Sequence, residues 1–345
     1  MATLSRRAVM TATGAAIAAL AAACARKAPP DPRWLAYKTR FLLPEGRIAD
    51  TGNGGISHSE GQGYGMLFAA AHDDRAAFDA LWAWTQANLA RADGLHAWRY
   101  VPGANPPVAD HNNASDGDLL MAWALLRAGK RWGGDYTKAG QALAAALKAA
   151  VVNADARAYL LPGLSGFTAE NSRVVNLSYW IFPALNEIGR ITGDETWHRV
   201  AETGVILIDQ ARFGAQALPP DWLETATGLA PAGKFPPRFG YDAVRVPLNL
   251  IWGGFATPAR LAGINGAWSA TPGSAPAWID VVTGETSPEK QSLGMQSVAR
   301  LTADAVQGQL PAADTLPALD AAADHYSASL LMQVALCLSD LSRAY

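Results

Sequence analysis

Amphipathic stretches with helical spacing recur along almost the whole chain, parted by short glycine- and proline-rich runs. That rhythm restricts the chain to an all-α fold. Apolar residues fall at helical intervals over 75–90, 116–131, 137–152, 177–192, 195–213, 293–302 and 324–341. Turn-forming residues break the pattern at 102–107, 162–166, 219–220 and 235–240, while strand-like alternation is confined to short pieces such as 278–283. No linker or composition break follows residue 33, so residues 29–345 read as one domain of successive helical hairpins with long loops gathered at one end. Half of the 345 residues are hydrophobic, enough to fill a large single core.

Residues 1–28 read as an export signal rather than as fold. Ser5-Arg6-Arg7 precedes an apolar, alanine-rich run from Ala8 to Ala23 that is short for a membrane span. The paired arginines point to the twin-arginine export route. Cys24 follows Ala21-Ala22-Ala23 as a lipoprotein acceptor would, although Leu20 stands one position early for that signal. A periplasmic or secreted protein is expected, with Cys24 as a candidate lipid anchor. Cys337 then stands in an apolar helical stretch and reads as a small buried hydrophobe, with no disulfide framework around it.

Several function classes lose support on composition. A net charge of −2 leaves no basic footprint for nucleic acid. The six histidines are scattered without zinc-ligand spacing, and Gly61 to Gly65 lacks both the lysine of a phosphate loop and a dinucleotide fingerprint. No metal or other cofactor is expected.

Three acidic positions carry the chemistry. Glu60 stands in Ser59-Glu60-Gly61-Gln62-Gly63-Tyr64-Gly65, a glycine-rich loop ahead of an alanine-rich helix, with no basic residue within four positions. A carboxyl so placed is suited to touching a ligand or acting as an acid. Asp116, in Ala114-Ser115-Asp116-Gly117-Asp118, runs into a long helix and also fits simple N-terminal capping. Asp242, in Tyr241-Asp242-Ala243-Val244-Arg245, also fits a local ion pair with Arg245. Two separated carboxyls among aromatic residues are what glycoside hydrolysis needs, one protonated to release the leaving oxygen and one ionised to activate water. The twelve tryptophans supply flat apolar faces for sugar rings, though most such residues pack in cores.

These segments together resemble glycoside hydrolase family 8. The signature region is Ala114 to Asp118 with Met121-Ala122, Leu125-Leu126, Ala128 and Trp132; the acid segment is Ser59 to Gly65, and the base segment is Tyr241-Asp242-Ala243 with Arg245. Weaker matches occur at Asn176-Leu177-Ser178-Tyr179, Pro220-Asp221-Trp222 and Asp280 to Gly284, with Leu177 where the family commonly has proline. The resemblance implies an (α/α)6 barrel with an open cleft at one end, and an inverting endo-β-1,4-glucanase acting on cellulose chains in bacterial cellulose production. The cellulose synthase export machinery would then be a partner. Glu60 would be the general acid, its pKa raised in a drier site, and Asp242 the base, kept ionised by Arg245. Asp116 would hold and distort the sugar, with Tyr179 and Arg245 placing water and sugar. Trp98 and then Trp222 are the expected sugar platforms, with Tyr64, Ser115 and Tyr241 lining the cleft. Xylan, mixed-linkage glucan or chitosan are alternative substrates, and a non-catalytic cellulose-binding accessory is the alternative from another class.

Overall fold

The computed structural model describes residues 31–271 and 273–343, and the chain from Arg33 onward forms one compact unit. The export signal and Cys24 lie outside the described residues. Eleven helices are described: α1 Pro32–Phe41, α2 Ser59–Ala71, α3 Arg75–Leu89, α4 Ser115–Trp132, α5 Tyr136–Leu147, α6 Phe182–Thr192, α7 Thr196–Gln210, α8 Arg245–Trp252, α9 Pro258–Ser269, α10 Leu293–Val306 and α11 His325–Arg343. Their ends follow local chemistry. The side chains of Asp74, Thr257 and Ser292 accept backbone N–H groups at the starts of α3, α9 and α10, and Gly193 closes α6 in the left-handed region. Among the described residues no helix is long and apolar enough to cross a membrane.

Burial sorts the helices into two rings. α2, α4, α6, α8, α10 and α11 form the inner one: α4 packs on α2 and α6, α8 on α6, α10 and α11, and α11 returns to α2. The half-exposed α1, α3, α5, α7 and α9 lie outside. The sixth outer place, between α10 and α11, is filled by segment 307–324 with two short 3-10 turns, Ala313–Thr315 and Leu319–Ala321. Arg40 at the end of α1 donates to the Leu319 and Ala322 carbonyls and fastens that segment. The ring closes through α1, where the Tyr37 hydroxyl meets His325 Nε2 at 2.9 Å and Phe41 meets the same imidazole edge-on.

Short antiparallel strands tie down the loops. β1 Ser57–His58 pairs with β2 Arg99–Tyr100, and β3 Val151–Ala154 with β4 Arg157–Leu160. β5 Thr168–Ala169, β6 Ser172–Asn176, β7 Trp222–Glu224 and β8 Ala230–Pro231 form a four-stranded sheet in that order. β9 Arg238–Phe239 pairs with β10 Ile279–Asp280.

Several sequence expectations shift. The stretch 137–152 leaves the helix after Leu147, because the β-branched Val151 and Val152 enter β3. The stretch 177–192 opens as a 3-10 turn, Leu177–Tyr179, and becomes α-helical only at Phe182 with Pro183 in its first turn. α2 and α8 escaped the periodic reading because they are buried on nearly every side, which erases the apolar–polar alternation.

The glycines around Glu60 are also not a loop. They lie in the first turns of α2 and serve packing: a Cβ at Gly63 would sit 2.6 Å from Leu120 Cβ on α4, and one at Gly65 3.0 Å from Ile48. Gly63→Ala is therefore expected to lower stability by about 1–3 kcal/mol through overpacking, despite alanine's better helix propensity. Urea denaturation measures it, and a stabilised variant would contradict this account.

Candidate active site

The inner helices run parallel, so their N-termini converge at one end of the barrel. Five of the six bring functional side chains there. Glu60 lies in the first turn of α2, Asp116 in that of α4, and Tyr179 just before α6. Asp242 and Arg245 meet the start of α8, and His325 and Tyr326 begin α11. Positive helix ends suit a cluster of carboxylates. A cavity of about 200 Å³ is lined by Glu60, Tyr64, Tyr241, Asp242, Arg245 and Tyr326, among others. A larger cavity, about 670 Å³, lies at the opposite end among helix C-termini and is lined by Arg127, Lys130, Arg131, Arg190 and Arg343. Cations there offset the helix dipoles, and its two acids, Glu187 and Asp340, are both bound by Arg127. The chemistry belongs to the smaller cavity.

Arg245 is the centre of the site. Its Nη1 donates to Glu60 Oε1 at 2.9 Å, and its Nη2 to Asp242 Oδ1 at 2.8 Å and to Ser178 Oγ at 3.1 Å. Its side chain is only 7% exposed. Glu60 thus has a strong structural partner that no nearby sequence position announced. Tyr64, one turn along α2, donates from its hydroxyl to Glu60 Oε1 at 3.4 Å. His58 caps α2 by accepting Gly61 N–H on Nδ1 at 2.9 Å, and its Nε2 meets Asp50 Oδ2 at 3.3 Å.

The protonation pattern differs from the expected one. Burial pushes Glu60 up, but Arg245, His58 and His325 outweigh it and hold the carboxyl below its ordinary range. Burial also pushes Asp242 up; Arg245 opposes this, yet with Glu60 nearby Asp242 ends above its ordinary range. Asp116 is raised further, by burial and then by Glu60. Burial and the Asp242 charge raise Asp221 to about 7. The acids outnumber the single guanidinium, so Glu60 is held low while the aspartates around it are pushed up.

Asp50, His58 and His325 lie close enough to suggest a metal, with ligand atoms all within 4.8 Å. The hydrogen bonds argue otherwise. Because Nδ1 of His58 accepts an amide proton, the neutral ring carries its own proton on Nε2, aimed at Asp50. A metal on Nε2 would cost the helix cap.

The other expected residues are placed as follows. Tyr179 lies among Asp116, Asp242 and Glu60, and burial followed by those charges raises its hydroxyl well above the ordinary range. Tyr241 is 46% exposed at the rim, and Tyr326 donates to its carbonyl at 2.8 Å. Trp98 is half-buried; its carbonyl accepts Ser59 N–H at 3.0 Å and its Nε1 donates to Asp110 at 2.7 Å. Trp222 stacks on Phe235 at 4.2 Å and on Phe167 at 5.8 Å, edge-on to Tyr179. It belongs to an aromatic stack rather than standing as a lone platform. Ser115 is fully buried, its N–H on the Pro162 carbonyl, and so anchors the entry to α4 instead of reaching a sugar. Cys337 is buried, as read from the sequence.

A family model, Glycosyl hydrolases family 8, matches residues 2–339. The chain belongs to that family. A probable endoglucanase of Novacetimonas hansenii is 44% identical over 309 residues, covering 88% of this chain and 89% of that protein. The solved family 8 endoglucanase Cel10 of Klebsiella pneumoniae is similar at TM-score 0.84 and 42% identity, over 90% of this chain and all of that one. The endo-β-1,4-glucanase CMCax of Acetobacter xylinum superposes at TM-score 0.84 with 41% identity, over 90% and 98%. This family 8 glycoside hydrolase therefore has the (α/α)6 barrel expected from its sequence, with one outer helix replaced by segment 307–324.

Sequence reasoning passed over Tyr326, Asn176, Phe167 and Phe235 as site residues. Tyr326 opens a periodic helix and looks like core. Asn176 is fully buried and orients Ser178 by accepting its N–H and hydroxyl, and it faces Asp242. Because Arg245 lowers both Glu60 and Asp242, Arg245→Gln raises both. A base must be ionised, so the acidic limb of the kcat/KM–pH profile is expected to move to higher pH, and an unmoved limb would contradict the shared-guanidinium account.

Proposed function

We propose that this enzyme is an endo-β-1,4-glucanase that cleaves cellulose chains with inversion, using Glu60 as general acid and Asp242 as general base. The observation that carries the reading is the shared guanidinium. Bonds of 2.9 and 2.8 Å bring Glu60 and Asp242 to one planar group from α2 and from the turn before α8, the paired carboxyls that glycoside hydrolysis needs, and inversion is the outcome implied by the family resemblance. The names of the relatives support the polymer.

The reaction follows from the placement. A glucan laid across the helix N-termini brings its glycosidic oxygen to Glu60 and inserts between that carboxyl and Arg245. Loss of the ion pair and of water raises Glu60, which takes up a proton and then gives it to the leaving oxygen. Asp242, still held by Arg245 Nη2, removes a proton from water as the water oxygen bonds to the anomeric carbon from the opposite face and the carbon–oxygen link breaks. The reaction leaves Glu60 ionised, its resting form, and Asp242 protonated, and loss of the Asp242 proton to solvent completes the cycle. Asp116, whose carboxyl burial and Glu60 push well above the ordinary range, hydrogen-bonds a sugar hydroxyl on the far side of the cut. Tyr179 is within reach of the attacking water. The exposed Tyr241, with Trp98 and the Trp222 stack, offers faces for neighbouring sugars.

We infer export by the N-terminal signal, with Cys24 as anchor, and action on glucan emerging from a bacterial cellulose synthase. The reading of residues 1–28 supports the export. Cell fractionation checks it: a product confined to the cytoplasm would remove that role.

Glu60→Gln and Asp242→Asn are each expected to lower carboxymethylcellulose hydrolysis by about 10²–10⁴-fold with unchanged circular dichroism. Wild-type turnover in either variant would overturn the roles. Proton NMR of early products should show the α-anomer at the new reducing end, and a β-anomer would refute inversion.

A further inference from the structure

Asp221 stands on the segment leading into β7, remote in sequence from the base, yet it holds the turn that carries the base. One carboxylate oxygen, Oδ1, accepts two backbone N–H groups: Gly240 at 3.0 Å and Ala243 at 2.7 Å. Those two amides bracket Tyr241 and Asp242. The Asp221 N–H donates to the Arg238 carbonyl at 2.6 Å, so the two segments are also stitched upstream of the turn. On the other side, Val244 N–H meets the Gly240 carbonyl and Arg245 N–H the Asp242 carbonyl, each at 3.0 Å, leading directly into α8.

The approach is tight. A Cβ at Gly240 would lie 3.0 Å from Asp221 Oδ2 and 3.0 Å from Trp278 Cβ. Gly240 is not in the left-handed region, so its lack of a side chain serves proximity rather than backbone conformation. The Asp242 carboxylate itself has one ion-pair partner, Arg245. Its backbone needs a separate support, because the turn belongs to neither β9 nor α8.

We propose that Asp221 is a positioning residue for the catalytic base: by gripping both ends of the Gly240–Ala243 turn it fixes where Asp242 presents its carboxylate to the attacking water. The proposal rests on the reading of Asp242 as base. The grip needs an acceptor oxygen, not a charge. Burial and the neighbouring Asp242 favour the protonated form of Asp221 below about pH 7, and its carbonyl oxygen still accepts both amides.

The test compares three substitutions by steady-state hydrolysis of a soluble cello-oligosaccharide, alongside calorimetric binding of the same sugar. Asp221→Ala removes the acceptor and is expected to lower kcat by about 10–100-fold, the scale of a small misplacement of a reacting group, with KM and the sugar Kd within about threefold of wild type. Asp221→Asn keeps the amide oxygen and is expected to restore kcat to within about threefold of wild type. Gly240→Ala crowds the grip from the other side and is expected to lower kcat in the same way, which keeps the test usable if Asp221→Ala does not fold.

Introduced into the Asp242→Asn background, Asp221→Ala should cause little further loss, because a residue acting through the base has nothing left to position. Wild-type kcat in Asp221→Ala or Gly240→Ala, an effect confined to KM, or an Asn variant as impaired as the Ala variant would overturn the proposal. Full independent loss in the double variant would also do so. If Asp242→Asn alone keeps wild-type turnover, the base assignment itself fails, an outcome distinct from failure of the grip.

Discussion

Arg245 sets one buried guanidinium between two carboxylates delivered by different hairpins, and the cleft is organised around that contact. A guanidinium has a fixed fork and remains charged, so it fixes direction as well as charge. Its Nη1 reaches α2 and its Nη2 reaches back to the turn before α8, with Ser178 as a third point of attachment. Burying such a cation is costly unless its hydrogen bonds are met. Here they are met by the groups that do the chemistry. The arginine is therefore solvated by Glu60, Asp242 and Ser178, and the cleft is held in shape by that interaction.

That arrangement also explains a proton pattern contrary to simple expectation. A drier site alone would raise Glu60. The guanidinium, with His58 and His325, reverses this and holds Glu60 low, while burial and the neighbouring carboxylates push the aspartates up, Asp116 well above its ordinary range. On the proposed mechanism Glu60 becomes an acid only when sugar takes the place of the arginine. On that mechanism substrate binding and acid activation are one event.

The sequence was legible where the signal was local. Asp116 and Asp242 stand in short strings with distinctive neighbours, and the turn residues between helices marked the hairpins. What it hid depended on contacts between distant segments. The glycines after Glu60 looked like a loop open to a ligand; they lie in a helix and give room to its neighbours, Gly63 to Leu120 and Gly65 to Ile48. The bond from Arg245 to Glu60 joins residues on opposite sides of the chain's middle, and nothing in either neighbourhood predicts it. Tyr326 carries no motif of its own, and Asn176 stands in a matched segment whose local sequence does not show that it faces Asp242. Ser115 sits inside a recognisable string yet is fully buried, so membership of a motif did not reveal which side chains face the cleft.

The closure of the ring by α1 and α11 has a consequence for how the molecule is made. Tyr37, near the beginning of the described chain, bonds to His325, near its end, and the same helix that offers His325 supplies Tyr326 to the cleft. Contacts of such sequence separation form only after the intervening loop entropy has been overcome. The earlier hairpins can pack as they emerge from the ribosome, but the wall beside Glu60 and Asp242 is missing until the last helix docks. Catalytic competence is thus a property of the finished polypeptide, and a nascent chain carrying both carboxylates is still an incomplete enzyme.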